Sequence, residues 1–216
     1  MTARLPGKGG VARDADPARP YPGKRVLDLI ILALLAVPAS LIGLACALAI
    51  KLSSQGPVFF RQERIGQWGK PFRVVKFRTM VHEAAGNPIL PDPRRITPVG
   101  RWLRRLSLDE LPQLLNVAAG GMSIVGPRPA LPYQVERYDE RQRRRLVVRP
   151  GLTGLAQIRG RNRTSWAERI EYDLEYIDQQ SLWLDLRILW STIPTVVSGT
   201  GISGHPSDDP LVSPPQ

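Results

Sequence analysis

The chain has 216 residues, with 30 Lys and Arg against 19 Asp and Glu, and a net charge of +11. That length supports one domain with its own core, and the charge calls for an anionic partner: nucleic acid, an anionic membrane surface or a phosphorylated substrate. The single cysteine, Cys46, excludes an intrachain disulfide and reads as a packing residue, and two distant histidines, His82 and His205, make no zinc pattern with it.

Residues 1–22 are rich in Pro, Gly and Arg and read as a disordered basic tail. Residues 23–52 follow as a membrane segment. Val26 to Leu52 is strongly apolar, with Asp28 and Lys51 as its only charges. As a helix of about 27 residues it measures about 40 Å, enough to cross a bilayer. The run is too long for a cleavable signal, and no cleavage site precedes it. Pro38 removes a backbone hydrogen bond near its middle, and Ser40 can help satisfy the freed groups. Basic residues flank both ends, Lys24 and Arg25 before and Lys51, Arg61 and Arg64 after. Both ends therefore compete for the cytoplasmic side. Two topologies satisfy these residues: a kinked crossing helix, or one that bends at Pro38 and re-enters. Asp28 needs a partner in lipid, and Lys24 and Arg25 lie within one helical turn.

Residues 53–199 form one continuous cytoplasmic region with no repeat and no linker. PVFFRQERIG and KPFRVVKFRTM are β-prone and joined through Gly66-Gln67-Trp68-Gly69, which predicts a β-hairpin. Its second strand carries Arg73, Lys76 and Arg78. Phe interleaved with basic residues suits single-stranded nucleic acid; a solvated basic face near anionic lipid is the preferred reading. PDPRRITPVG is turn chemistry leading into GRWLRRL, a short amphipathic helix suited to an interface.

The run SLDELPQ, Ser107 to Gln113, follows a cluster of Arg101, Arg104 and Arg105. Ser107 and Glu110 fit a capping box, with Asp109 in the first turn where the helix dipole favours an anion. Leu108, Leu111, Leu114 and Leu115 supply an apolar face. The same residues also fit a phosphate site, since arginines hold an anion that an ionised carboxylate attacks. Pro112 predicts an irregular start or a bend. Further on, Gly126-Pro127-Arg128-Pro129 is a stiff turn that presents Arg128. Tyr133 to Val148 reads as a charged helix, and RPGLTGLAQIRGRN as a loop whose glycines match neither a Walker loop nor G-x-G-x-x-G. Trp166 to Gln180 and Leu182 to Val197 read as helices. Trp183 and Trp190 share one face of the second, suited to a core, to a membrane interface or to a homodimer. Residues 200–216 read as a flexible tail.

Taken together, KRVLDL, GPVFFRQERIG, FRVVKFRTM, TPVGRWLRRLSLDELPQLLNV, MSIVGPRP and RPGLTGLAQIRGRN, with Asp173, Tyr176, Ser181 and Asp185, give a resemblance to the monotopic phosphoglycosyl transferases in their minimal catalytic form. The match runs from about residue 24 to 197. The resemblance implies a mainly α, α+β fold with a re-entrant membrane helix, interfacial helices and a catalytic domain on the cytoplasmic face of the bacterial inner membrane. It implies transfer of a sugar-1-phosphate from a UDP-sugar to undecaprenyl phosphate, with release of UMP and a requirement for Mg²⁺. It implies Asp109 as nucleophile and Glu110 as its partner, either of them a metal ligand, with Arg104 and Arg128 on phosphate. Arg101, Lys76, Arg78, Gln157 and Arg161 are further candidates for substrate. Leu155 stands where such proteins often have Trp, and Arg159 where Asn is common, which bears on donor identity. A reading from another class is a non-catalytic membrane-tethered basic protein that binds nucleic acid or anionic lipid. It explains the charge but not the dyad.

Overall fold

Helix α1 (Lys24–Ser53) meets the rest of the molecule at both ends and stands clear of it in the middle. This computed structural model describes residues 20–81, 95–160 and 164–197. The expected tails beyond those limits, most of the turn before GRWLRRL, His82, His205 and Arg161 lie outside the described residues.

The hairpin forms as expected from its two β-prone segments and the Gly66-Gln67-Trp68-Gly69 connection. Strands β1 (Phe59–Ile65) and β2 (Pro71–Phe77) pair antiparallel, with Phe60 opposite Lys76 and Arg64 opposite Phe72. Opposed residues share a face, so Arg64 and Lys76 project to the same side. The other face carries Phe59 and Phe77, stacked at 5.5 Å. Helix α2 (Pro98–Arg105) starts under Thr97, whose hydroxyl accepts from the Gly100 amide at 2.9 Å. A Cβ on Gly100 would stand 2.1 Å from the Thr79 carbonyl oxygen. Glycine therefore lets α2 close on the chain leaving β2.

SLDELPQ does not form a capping box. Ser107 adopts a left-handed conformation (φ 54°) and its side chain caps nothing, while Leu108–Gln113 winds as a 3-10 helix containing Pro112. Glu110, the expected box partner, turns instead to Lys76 and Arg128. Helix α3 (Leu114–Ala118) continues it. Asn116 ties this segment to the hairpin: its Oδ1 accepts from the Val75 amide and its Nδ2 donates to the Arg73 carbonyl.

Two short strands follow that sequence periodicity did not disclose. Strand β3 (Ser123–Val125) pairs in parallel with β4 (Gly151–Thr153). The glycine-rich segment expected as a loop is thus β4 followed by α6 (Leu155–Gly160). A Cβ on Gly151 would lie 2.1 Å from the Gly126 nitrogen, so its glycine permits a backbone crossing beside the GPRP turn. The charged stretch expected as one helix breaks into α4 (Pro132–Glu136), α5 (Glu140–Arg143) and a 3-10 turn. Asp139 restarts it as an N-cap with Gln142 completing the box. Helices α7 (Trp166–Gln179) and α8 (Leu182–Val197) close the fold.

The main core joins Val74, Val117, Met122, Ile124, Ile170, Ile177 and Ile188. A second cluster sets Cys46 and Ile50 of α1 against Phe77 and Leu103, which confirms Cys46 as a packing residue. The architecture is mainly helical with a small antiparallel sheet.

Both ends of α1 are held by one body. At the start, Lys24 donates to Asp185 at 2.5 Å and to the Val125 carbonyl at 2.8 Å, and Tyr21 and Tyr176 donate to the same carboxylate. Tyr21, read as part of the tail, is therefore tied to α8. Asp28 does not pair with Lys24 or Arg25. Its Oδ1 accepts from the Ser123 hydroxyl and the Ile124 amide, both at 2.9 Å, while Arg25 donates to the Val117 and Ala118 carbonyls. At the far end Arg78 is buried, and its guanidinium donates to the carbonyls of Ser54 and Gln55. Between them, residues 33–42 are exposed apart from half-buried Ala39, and Pro38 lies at the centre of that stretch. Ser40 is exposed, and it makes no side-chain hydrogen bond among the described residues.

Candidate active site

The 3-10 helix, β2 and the GPRP turn bring their charged side chains to one open cleft lined by Arg64, Lys76, Glu110, Gln113 and Arg128, among others. Lys76 Nζ lies 2.6 Å and Arg128 Nη2 3.0 Å from the same oxygen of Glu110, Oε1. The other oxygen, Oε2, takes no donor among the described residues. Burial opposes the charge on Glu110, but Arg128 and Lys76 outweigh it and hold its carboxyl well below the usual range.

Asp109 differs from its neighbour. No hydrogen bond ties its carboxylate among the described residues, and its interactions with Glu110, Lys76, Arg104 and Arg128 are electrostatic. Burial, and then the Glu110 charge, push it up to about 6 against the three cations. The arginines offset burial only in part, yet Asp109 stays largely ionised at neutral pH. The 3-10 winding sets the adjacent side chains apart. Consecutive residues there stand about 120° apart on a tighter spiral, so Glu110 turns into the cations while Asp109 stays free.

Arg104, in the last turn of α2, donates from Nε to Thr79 Oγ1 at 2.8 Å and stabilises the charge on Asp109. Burial lowers the pKa of Lys76, opposed by Glu110. Of the sequence candidates, Lys76, Arg104 and Arg128 thus gather around the dyad. Arg101 is exposed on α2 and is not among the charges acting on Asp109. Arg78 lies away from the cleft, where it holds the end of α1. Gln157 is buried behind β4, with Nε2 directed at the Leu152 carbonyl. Leu155 is core, and Arg159 pairs with Glu175 over the Tyr172 ring. Sequence reading passed over Arg64 and Gln113 as site residues. Strand alternation from Lys76 could have found Arg64, since both lie on one face of the hairpin. Gln113 carries no such signal.

Two adjacent carboxylates are hard oxygen donors of the kind that bind Mg²⁺ together with substrate phosphates and water. Among the described residues no group of three or more Asp, Glu, His or Cys could hold a metal ion.

The family model for bacterial sugar transferases matches residues 20–199. A sugar transferase of Bacillus subtilis named EpsL, uncharacterised in activity, is 48% identical over 181 residues, covering 83% of this chain and 89% of that protein. The UDP-glucose:undecaprenyl-phosphate glucose-1-phosphate transferase of Caulobacter vibrioides is 47% identical over 186 residues, 81% of this chain and 70% of its own length. The exopolysaccharide production protein ExoY of Sinorhizobium fredii is 40% identical over 211 residues, 88% and 93% of the two chains. A match over this span, with the dyad, its cations and the GPRP turn all inside it, places the chain in the bacterial sugar transferase family.

Proposed function

We propose that the chain is a phosphoglycosyl transferase that moves a sugar-1-phosphate from a UDP-sugar to undecaprenyl phosphate, releasing UMP. The observation that carries this reading is the pairing of a free, raised-pKa Asp109 with a Glu110 held by Lys76 and Arg128. A carboxylate that stays ionised at neutral pH yet is more basic than usual is a better nucleophile. The Asp109 carboxylate attacks the sugar-bearing phosphorus. The bond from that phosphorus to the bridging oxygen breaks, and UMP departs with the oxygen. An oxygen of undecaprenyl phosphate then attacks the aspartyl-linked phosphorus, the acyl phosphate bond breaks, and Asp109 returns as a carboxylate. No proton transfer is required in either half. Lys76, Arg104 and Arg128 neutralise the phosphoryl oxygens, and the charge on Glu110 keeps the two cations of its pair aimed at the cleft. Asp109 and Glu110 would hold Mg²⁺, which when bound supplies neutralisation of the diphosphate.

The acceptor is a lipid, and α1 agrees with lipid contact. It is long and apolar enough to enter a membrane and is almost wholly exposed in its apolar window. Trp102 on α2 and Trp183 and Trp190 on α8 are exposed as well, as side chains at a headgroup layer are. We read the chain as a monotopic protein of the bacterial inner membrane, with its cleft on the cytoplasmic side. The glucose donor named for the Caulobacter relative is the first to assay.

The test is UMP release from a panel of UDP-sugars by the purified protein with Mg²⁺ and undecaprenyl phosphate. Asp109→Ala and Asp109→Asn should lose at least about 10³-fold, the usual scale for a removed nucleophile. Full turnover by either variant would overturn the nucleophile assignment. Binding of oligonucleotides without UMP release would favour a basic binding protein instead.

A further inference from the structure

Arg128 sits in a turn whose main chain is held by two other arginines. Arg64 Nη1 donates to the Pro129 carbonyl at 3.0 Å. Arg145 Nη2 donates to the Arg128 carbonyl itself at 3.3 Å. Arg145 reaches this position from the 3-10 turn after α5 and is nearly buried, its side chain 9% exposed. Its own guanidinium is ion-paired with Asp173 of α7, whose side chain is 2% exposed, and hydrogen-bonded to the Tyr138 hydroxyl. Neither Arg145 nor Asp173 lines the catalytic cleft.

A buried ion pair is a poor device for stability, because desolvation cancels most of its attraction. Its geometry is what an apolar pair could not reproduce. The planar fork of Arg145 spans three partners at once: Asp173, Tyr138 and the Arg128 carbonyl. The turn is already stiffened by Pro127 and Pro129 and bonded to β4 through the Gly126 and Gly151 amides, both at 2.8 Å. What these contacts leave unset is the rotation of the Arg128 peptide, whose nitrogen follows one proline and whose carbonyl precedes the other. The Arg145 hydrogen bond fixes that carbonyl and with it the direction of the Arg128 side chain toward Glu110.

The geometry points to Arg145, locked by Asp173, as a positioning residue that sets Arg128 against Glu110 from outside the cleft. The catalytic consequence rests on the transferase reading; the positioning itself does not. Arg145→Lys keeps the charge for Asp173 but lacks the fork to reach the Arg128 carbonyl. Hydrogen-exchange mass spectrometry should then show faster exchange in the peptide spanning 123–131, with α1 unchanged. UMP release should fall about tenfold, in kcat rather than in KM, an effect of small misplacement. In an Arg128→Ala background, Arg145→Lys should cost less than about twofold more, because the two act as one unit. Losses that multiply across the two substitutions, or unchanged exchange in 123–131, would overturn the assignment. If Arg145→Lys does not fold, Tyr138→Phe removes one arm of the fork and is judged by the same two readouts. A wild-type protein that releases no UMP defeats the transferase reading, while hydrogen exchange still decides whether Arg145 holds the turn.

Discussion

Asp109 is held in the ionised form at a cost. Burial and the Glu110 charge raise its pKa from 3.8 to about 6, so folding favours its protonated form. Below about pH 4 both folded and unfolded states carry the proton and the penalty is absent. It grows between pH 4 and 6 and is constant above. Asp109→Asn removes the charge and keeps the shape. It should therefore raise stability at neutral pH by roughly 1 to 3 kcal/mol, at 1.36 kcal/mol per pKa unit and reduced by the solvent that reaches the group. Melting temperatures of the two proteins, measured in EDTA from pH 4 to 8, should diverge up to pH 6 and then run parallel. A variant no more stable than wild type at pH 7.5 would mean that Asp109 carries no strain. Glu110 has the opposite sign. Its pKa is lowered by Arg128 and Lys76 against burial, so its contribution is present at neutral pH and lost on acidification. The two neighbours thus divide into a strained, free carboxylate and a stabilised, tied one, a division that their adjacency in SLDELPQ did not reveal.

Local signals carried the elements that depend on local signals. Two β-prone segments and the glycine-flanked connection between them located the hairpin, and the apolar run Leu182–Val197 located α8 at both ends. The capping box at Ser107 failed because Glu110 found two cations, a tertiary preference stronger than a cap worth about 1 kcal/mol. The break in the stretch from Tyr133 was legible in Asp139 and Gln142, a box whose signal was overlooked. Strands β3 and β4 were not legible, since three residues are too few to show a period. What marks them is steric. Gly151 lies where a Cβ would stand 2.1 Å from the Gly126 nitrogen and 2.5 Å from its oxygen. Both atoms are main chain, so nothing flexible can yield. Gly151→Ala should push β4 off the GPRP turn and destabilise by at least about 3 kcal/mol, at the upper end of overpacking costs. Chemical denaturation in detergent reads this directly, and a midpoint equal to wild type would show that the crossing tolerates a side chain.

The ion and hydrogen-bond partners of α1 tie both its ends to the rest of the molecule. Lys24 reaches Asp185 across 161 positions of sequence and Asp28 reaches Ser123 across 95, distances over which one sequence carries no pairing information. At the other end Arg78 binds the Ser54 and Gln55 carbonyls while Ile50 and Cys46 pack on Phe77 and Leu103. One body therefore holds both ends of a single apolar helix. A helix that crossed the bilayer would have to release one end. Releasing the start would leave Asp185, which is fully buried, without its lysine, at a cost of about 3 to 5 kcal/mol for a broken buried pair. Releasing the far end would expose the second apolar cluster and free Arg78. Crossing would thus break contacts at either end, whereas residues 33–42 around Pro38 are exposed apart from Ala39; we therefore propose that the helix re-enters by bending there. Cysteines introduced at Pro20 and Gln55 in a Cys46→Ser background should both resist a membrane-impermeant thiol reagent in intact spheroplasts and both react after lysis. Labelling of one position in intact spheroplasts would mean a crossing helix. Repeating the assay with Asp185→Ala separates the two determinants: if the clamp at Lys24 sets topology, position 20 becomes reactive from outside, and if the basic flanks and Pro38 suffice, it stays protected.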